Sequence, residues 1–173
     1  MTLQVRQAEP RDRPAVAAFR AARHSARVAR RGVLVQPDDH AALLAEDDGA
    51  VLGVITYVID GADCELLTVH AEPPRSGVGT ALLAAVERVA AAAGCTRLWL
   101  VTTNDNVDAL RFYQRRGFTL CALRPGAVDD SRATLKPEIP RIGDHGIPLR
   151  DELELEKPLV AADPRSGGRR QQR

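Results

Sequence analysis

Aromatic side chains make up only 3% of this 173-residue chain, and Lys136 and Lys157 are its only lysines, so arginine carries almost all of its positive charge. With so few rings to stack on, a platform for single-stranded nucleic acid is not expected. Charge of one sign is also missing. The formal net charge is +1, so nucleic acid or an anionic membrane would need a local patch, and neither is an expected partner. No apolar run of about 18 residues could span a bilayer. The first residues lack the charged, apolar, small-residue order of a secretory signal, and the expected location is cytoplasmic. Cysteine is scarce as well: Cys64, Cys95 and Cys121 are odd in number, widely spaced and set among apolar residues. That pattern fits neither a disulfide framework nor a metal knuckle. Buried thiols and no metal site are expected.

What is present is an ordinary globular balance, 45% hydrophobic and 27% charged, in a length that one domain fills. One domain over residues 1–159 is expected, then a flexible tail over 160–173, where glycine, arginine and glutamine replace the apolar pattern. One basic patch stands out. Arg20, Arg23, Arg27, Arg30 and Arg31 recur at helical spacing, which reads as a solvated stripe on an early helix.

Leu3 to Ala8 alternates as a strand, and Pro10 with Asp12 opens an alanine- and arginine-rich helix reaching about Ala29. Three strands follow, Ala42 to Glu46, Val51 to Ile59 and Cys64 to His70, separated by Asp48-Gly49 and Asp60-Gly61. Both dipeptides favour tight hairpin turns, giving an antiparallel meander. A long apolar helix from about Val78 to Ala93 ends at Gly94, and Arg97 to Thr102 is a strand. Asn104 or Asn106 caps a helix to about Arg116, Gly117 stops it, and Phe118 to Leu123 returns to strand. Between Arg124 and Pro148 lies a stretch rich in proline and glycine, too long for an ordinary connection, in which Val128 to Leu135 can supply a helical turn or two. Leu153 and Leu155 alternate with Glu152, Glu154 and Glu156, a last strand with one wet face. The expected class is α/β (α+β): a single domain with a mixed, largely antiparallel sheet flanked by helices. Its order is strand, helix, three strands, helix, strand, helix, strand, long loop, strand.

The segment Pro73-Pro74-Arg75-Ser76-Gly77-Val78-Gly79-Thr80 joins a strand to the first turn of the apolar helix. There unpaired N–H groups and the helix dipole attract anions, and glycine removes the Cβ atoms that would hold a pyrophosphate away. Arg75 and the hydroxyls of Ser76 and Thr80 can add bonds. The Lys-Ser/Thr ending of a P-loop is absent, as is the third glycine of a dinucleotide fold.

These residues resemble the acetyl-CoA-binding motif of the GCN5-related N-acetyltransferase (GNAT) family, from Leu67-Thr68-Val69 through the basic turn to Gly77-Val78-Gly79-Thr80. Thr103 through Phe118, containing Asn106, Ala109 and Tyr113, is similar to the family's second motif, the helix that flanks the pantetheine arm. Helical spacing independently puts Asn106, Ala109 and Tyr113 near one stripe. The resemblance spans about Leu3 to Leu123 plus the last strand. It implies acetyl-CoA as co-substrate, met by Leu67, Thr68, Val69, Arg75, Ser76, Gly77, Val78, Gly79, Thr80, Asn106, Ala109 and Tyr113. A homodimer is also in keeping with it.

The reaction implied is N-acetyl transfer by direct attack of a neutral amine on the thioester, through a tetrahedral intermediate. Tyr113 would protonate the departing thiolate. Glu65 is read as the base, on the same face of its strand as Leu67 and Val69, with His70 on the opposite face and His145 as a second candidate. The acceptor is expected to be a small-molecule or peptide amine, with Arg124, Arg132 and His145 meeting an anionic group on it. Transfer of another acyl group, and a CoA-binding regulatory module without turnover, remain alternatives.

Overall fold

Residues 3–160 are described here from a computed structural model, and the tail expected over 160–173 lies outside them except for Val160. In chain order the elements are β1 (Gln4–Gln7), α1 (Arg13–Ala21), β2 (Val28–Arg30), β3 (Val33–Val35), β4 (Ala41–Asp47), β5 (Ala50–Asp60), β6 (Asp63–Ala71) and α2 (Val78–Ala92). There follow β7 (Arg97–Thr103), α3 (Val107–Gln114), β8 (Thr119–Arg124), α4 (Ala127–Thr134) and β9 (Glu152–Pro158). Seven strands form one sheet in the order β1-β4-β5-β6-β7-β9-β8, and β2 pairs with β3 apart from it. Only β6 and β7 run parallel; the other neighbours are antiparallel. The final strand therefore slots between two earlier ones, closing the sheet on the far side of β7.

The two faces of this sheet differ in kind. One carries Leu43, Ile55, Leu66, Leu100 and Leu155, which pack with Leu82, Val86 and Ala90 of α2 and with Tyr113 of α3 into the main core. Alternation along each strand sends the neighbouring residues to the other face. There Ala42, Leu44 and Val54 meet Val16 of α1 in a smaller cluster.

Four expectations are corrected. The first helix stops at Ala21 rather than near Ala29, because His24 turns left-handed (φ 55). The Ser25 N–H then bonds the Arg20 carbonyl and the His24 N–H that of Ala21, a paired cap that ends a helix. The residues beyond form the β2–β3 hairpin, whose two-residue turn Arg31-Gly32 has positive φ at both positions. The arginine stripe is accordingly not one solvated helix face: Arg20 is 3% exposed and bonds Thr56 Oγ1 at 2.7 Å and Asp38. The glutamate face of β9 is not wet either. Glu152 and Glu154 are 2% and 6% exposed, with Glu154 bonded by Arg97 at 3.0 Å and Arg124 at 2.7 Å. Finally, Cys121 is an exposed thiol; only Cys64 and Cys95 are buried.

Candidate active site

β6 and β7 pair from Asp63↔Arg97 to Leu66↔Leu100, and no further. β6 continues to Ala71 and β7 to Thr103, so the strands part and one backbone edge of each faces a gap. A bulge sits where they part: Tyr57 lies opposite Leu66 and Thr56 opposite Thr68, leaving Leu67 extra. An extra residue reverses the side-chain alternation beyond it. Glu65, Thr68 and His70 oppose Val58, Thr56 and Val54, so all three share one face, while Val69, opposite Ile55, lies on the other. The expectation that Glu65 shares its face with Leu67 and Val69, with His70 opposite, assumes an unbroken strand and is corrected by the bulge.

Beyond β6, Arg75 (φ 63) and Gly77 (φ 88) turn the chain left-handed on either side of Ser76. The Ala81 N–H is bonded to the Gly77 carbonyl at 3.0 Å, so the N–H groups of Val78, Gly79 and Thr80 precede the first helical bond of α2. No atom lies within 4 Å of where a Gly77 Cβ would stand: the space outside this turn is open. Ser76 Oγ is buried without a partner. Sequence reasoning finds Arg75 for this turn and misses Arg116. Its guanidinium, stacked 3.7 Å from the Phe112 ring centroid, donates to Thr80 Oγ1 at 2.6 Å. Only the fold brings the end of α3 to the start of α2.

Asn106 Oδ1 accepts the Ala109 N–H at 3.2 Å and so caps α3; Asn104 instead bonds the Pro148 carbonyl and the N–H groups of Arg150 and Asp151. From this helix Tyr113 packs edge-on against Phe112 and Phe118, ring centroids 5.1 and 5.3 Å away. Burial pushes the phenol up from its ordinary value, so the proton stays on at neutral pH.

On the opposite face a cleft of about 870 Å³ opens between the α1–β2 connection, the end of β7 and α4. Arg23, Arg27, Arg30 and Lys136 line it, with Ser131 and Glu152. Glu65 is paired with Arg30 at 2.5 Å. His70 Nε2 lies 2.7 Å from Ser25 Oγ, and burial first, then the charges of Arg23 and Arg20, lower its imidazole to about 4. The three residues expected to meet the acceptor do not line this cleft. Arg124 is held by Glu154, Arg132 by Asp129 and the carbonyls of Ile139, Pro140 and Leu149, and His145 lies exposed, 3.4 Å from Asp108. The cleft-lining arginines are visible in the sequence, but their helical spacing points to solvent.

A strand gap beside a bared helix start, with a cleft across the sheet, can hold an extended thioester along one face and admit a nucleophile from the other. Comparisons with known proteins bear on the fold and the family. The chain is 48% identical over 111 residues to YdhI of Bacillus subtilis (strain 168), covering 64% of this chain and 69% of that one. It superposes on the "IAA acetyltransferase" of Bacillus cereus ATCC 14579 with a TM-score of 0.66 at 18% identity, over 91% of this chain and 100% of that one. A GNAT family acetyltransferase from Elizabethkingia anophelis, solved with acetyl-CoA bound, gives the same TM-score at 17% identity, over 91% and 98% of the two chains. No helix among the described residues is long and apolar enough to cross a membrane. A profile of the Acetyltransferase (GNAT) family matches residues 4–118, and the chain belongs to that family.

Proposed function

We propose that this chain is a cytoplasmic N-acetyltransferase that moves the acetyl group of acetyl-CoA to a small-molecule amine by direct attack. The observation that carries the reading is the coincidence of two backbone features on one line. β6 leaves its β7 partner after Leu66, and the same strand then runs into the bared N-terminus of α2. Unpaired groups of the first can hold the pantetheine arm and thioester, and N–H groups of the second the pyrophosphate. The partnerless, buried Ser76 hydroxyl and the open space outside Gly77 support the fit, as does acetyl-CoA in the Elizabethkingia relative.

In this reading the backbone of Leu67 and Val69 borders the thioester, and an N–H there stabilises the oxyanion of the tetrahedral intermediate, an effect worth about 3 kcal/mol of barrier. Tyr113, kept protonated by burial, donates its proton to the departing thiolate. Glu65 takes the proton of the attacking amine through water. It stands one residue before the strands part, on the cleft face, and its pairing with Arg30 fixes its direction. Glu65→Gln should remove the basic-group limb of the pH–rate profile while leaving acetyl-CoA affinity in place. An unaltered profile returns the base role to another group.

Thiol release from acetyl-CoA across an amine library tests the whole reading. Calorimetry at millimolar CoA that registers no association with folded protein would overturn it.

A further inference from the structure

Charge accounting in the cleft points to the acceptor. Three of its cations are already matched by carboxylates: Arg23 by Glu72 at 2.5 Å, Arg27 by Glu138, and Arg30 by Glu65. Lys136 is spent on the carbonyls of Arg27 and His24, at 2.8 and 3.3 Å. None of these is free to receive an anionic substrate. Two carboxylates lining the cleft lack a cation among the described residues, Asp105 and Glu152. Asp105 is occupied by the Thr103 hydroxyl at 2.5 Å and the Asp144 N–H at 2.9 Å, with Gly143 pressed against it. Glu152 is different. At 2% exposed it receives a single donor, the Arg31 N–H, shared between its oxygens at 3.0 and 3.2 Å. A carboxylate has about four acceptor sites, and a buried one without a counter-charge is costly. An independent feature of the same cleft agrees: Ser131, on the buried side of α4 and 3% exposed, has a hydroxyl with no partner among the described residues.

We propose that the cleft selects a small diamine, one nitrogen taking the acetyl group at the strand gap while the other, as an ammonium, is held by Glu152 and the Ser131 hydroxyl. The inference rests on the acetyltransfer reading above. Glu152 lies opposite Thr103 of β7, three residues past the last β6–β7 pair. Val69, which borders the thioester in that reading, is likewise three residues past the last pair, on the far side of the gap from β7, so backbone to backbone Val69 and Glu152 are at least about two strand spacings apart, on the order of 10 Å. An alkyl chain of several carbons covers a span of that order. The ammonium at Glu152 gives the carboxylate its missing counter-charge, while the second nitrogen, several bonds away, remains free to attack as the neutral amine. Volume agrees, since about 870 Å³ is the scale of a small-molecule pocket. The Arg27–Glu138 pair and the Lys136 bonds tie the α1–β2 connection to the segment after α4.

Three probes with one six-carbon chain and different far ends decide it: α,ω-diaminohexane, hexylamine and aminohexanoate, ending in ammonium, methyl and carboxylate. With acetyl-CoA saturating, kcat/KM from thiol release should be about tenfold or more higher for the diamine than for hexylamine, and lowest for aminohexanoate. Glu152→Gln, which can still accept the Arg31 N–H, should bring the diamine-to-hexylamine ratio close to one, and Ser131→Ala should lower it. A wild-type ratio of one or below, a preference for aminohexanoate, or a ratio retained in folded Glu152→Gln overturns the proposal. Should Glu152→Gln not fold, the wild-type ratio and its change in Ser131→Ala decide between support and refutation. If acetyl-CoA does not bind, the acetyltransfer reading falls. Calorimetric titration of diaminohexane against hexylamine then tests the cation site alone: selective diamine binding sustains it, and equal or absent binding removes it.

Discussion

The two faces of the sheet solve binding by different means. Toward α2 and α3 the sheet is apolar, and the groups offered to a ligand are main-chain ones: the edge of β6 past Leu66 and the N–H groups at Val78 to Thr80. Toward α1, the β2–β3 hairpin and α4 the groups are side chains, and nearly all of them are already paired with one another. A main-chain site recognises a constant partner and tolerates variation in side chains, whereas an ionic site changes its preference with every substitution. In the proposed function the first suits the invariant thioester carrier, the second the acceptor.

The most damaging single change should fall on the main-chain side. Gly77→Val forces a β-branched residue to φ 88 and fills the open space outside the turn. Affinity for CoA, measured by calorimetry, should fall about 100-fold or more, with a much smaller loss in thermal midpoint. Equal losses in both would mean that the turn serves folding and not the ligand. Next comes Tyr113→Phe. Because the ring contacts with Phe112 and Phe118 are kept, stability should hold while kcat falls about 100-fold and the KM for acetyl-CoA changes little. Unchanged kcat under rate-limiting chemistry would remove the general-acid role.

The same contrast explains which parts are legible in the sequence. Three helices end with the same pair of bonds: Ser25 to Arg20 and His24 to Ala21, Cys95 to Ala90 and Gly94 to Ala91, Phe118 to Tyr113 and Gly117 to Gln114. The last two have glycine at the left-handed position, which marks both ends to within a few residues. The first has His24, whose type carries no such signal, so the alanines and arginines beyond it read as more helix. That error hides the hairpin, and with it Arg30 and Arg31 above the sheet, so the glutamates of β9 look solvent-facing. The bulge at Leu67 is equally unreadable, since no glycine or proline marks it, and it reverses the face of every residue after it. Motif residues on the main-chain side are legible because their chemistry is local. The cleft side depends on long-range pairs such as Arg27–Glu138, which alternation and spacing do not encode.

A smaller effect tests how rigidly the acceptor side is built. A Cβ at Gly143 would stand 2.0 Å from Asp105 Oδ2 and 2.9 Å from its Cβ, so the segment after α4 is seated on that carboxylate by close approach. Gly143→Ala should cost about 2–3 kcal/mol in denaturant unfolding and weaken selection among amines more than affinity for CoA. If amine selectivity survives, the seat is structural only.

The smallest effect concerns pH. His70 is on the cleft face, and burial, with Arg23 and Arg20 nearby, lowers its folded value to about 4 from an unfolded value of about 6.5. The unfolded chain therefore binds the extra proton first as pH falls. Stability from the neutral imidazole is complete above about 6.5 and is lost progressively down to about 4. At pH 5.5 the loss from this group should be about 1 kcal/mol. His70→Gln, which can still reach Ser25, has no proton to gain, so its stability should decline less than that of the wild type between pH 7 and 5.5. Parallel declines in the two proteins would mean that the imidazole is not held neutral, and that the charges of Arg20 and Arg23 are screened from it by water entering the cleft. The acceptor face would then be wetter than its paired side chains imply, and the contrast between the two faces correspondingly weaker.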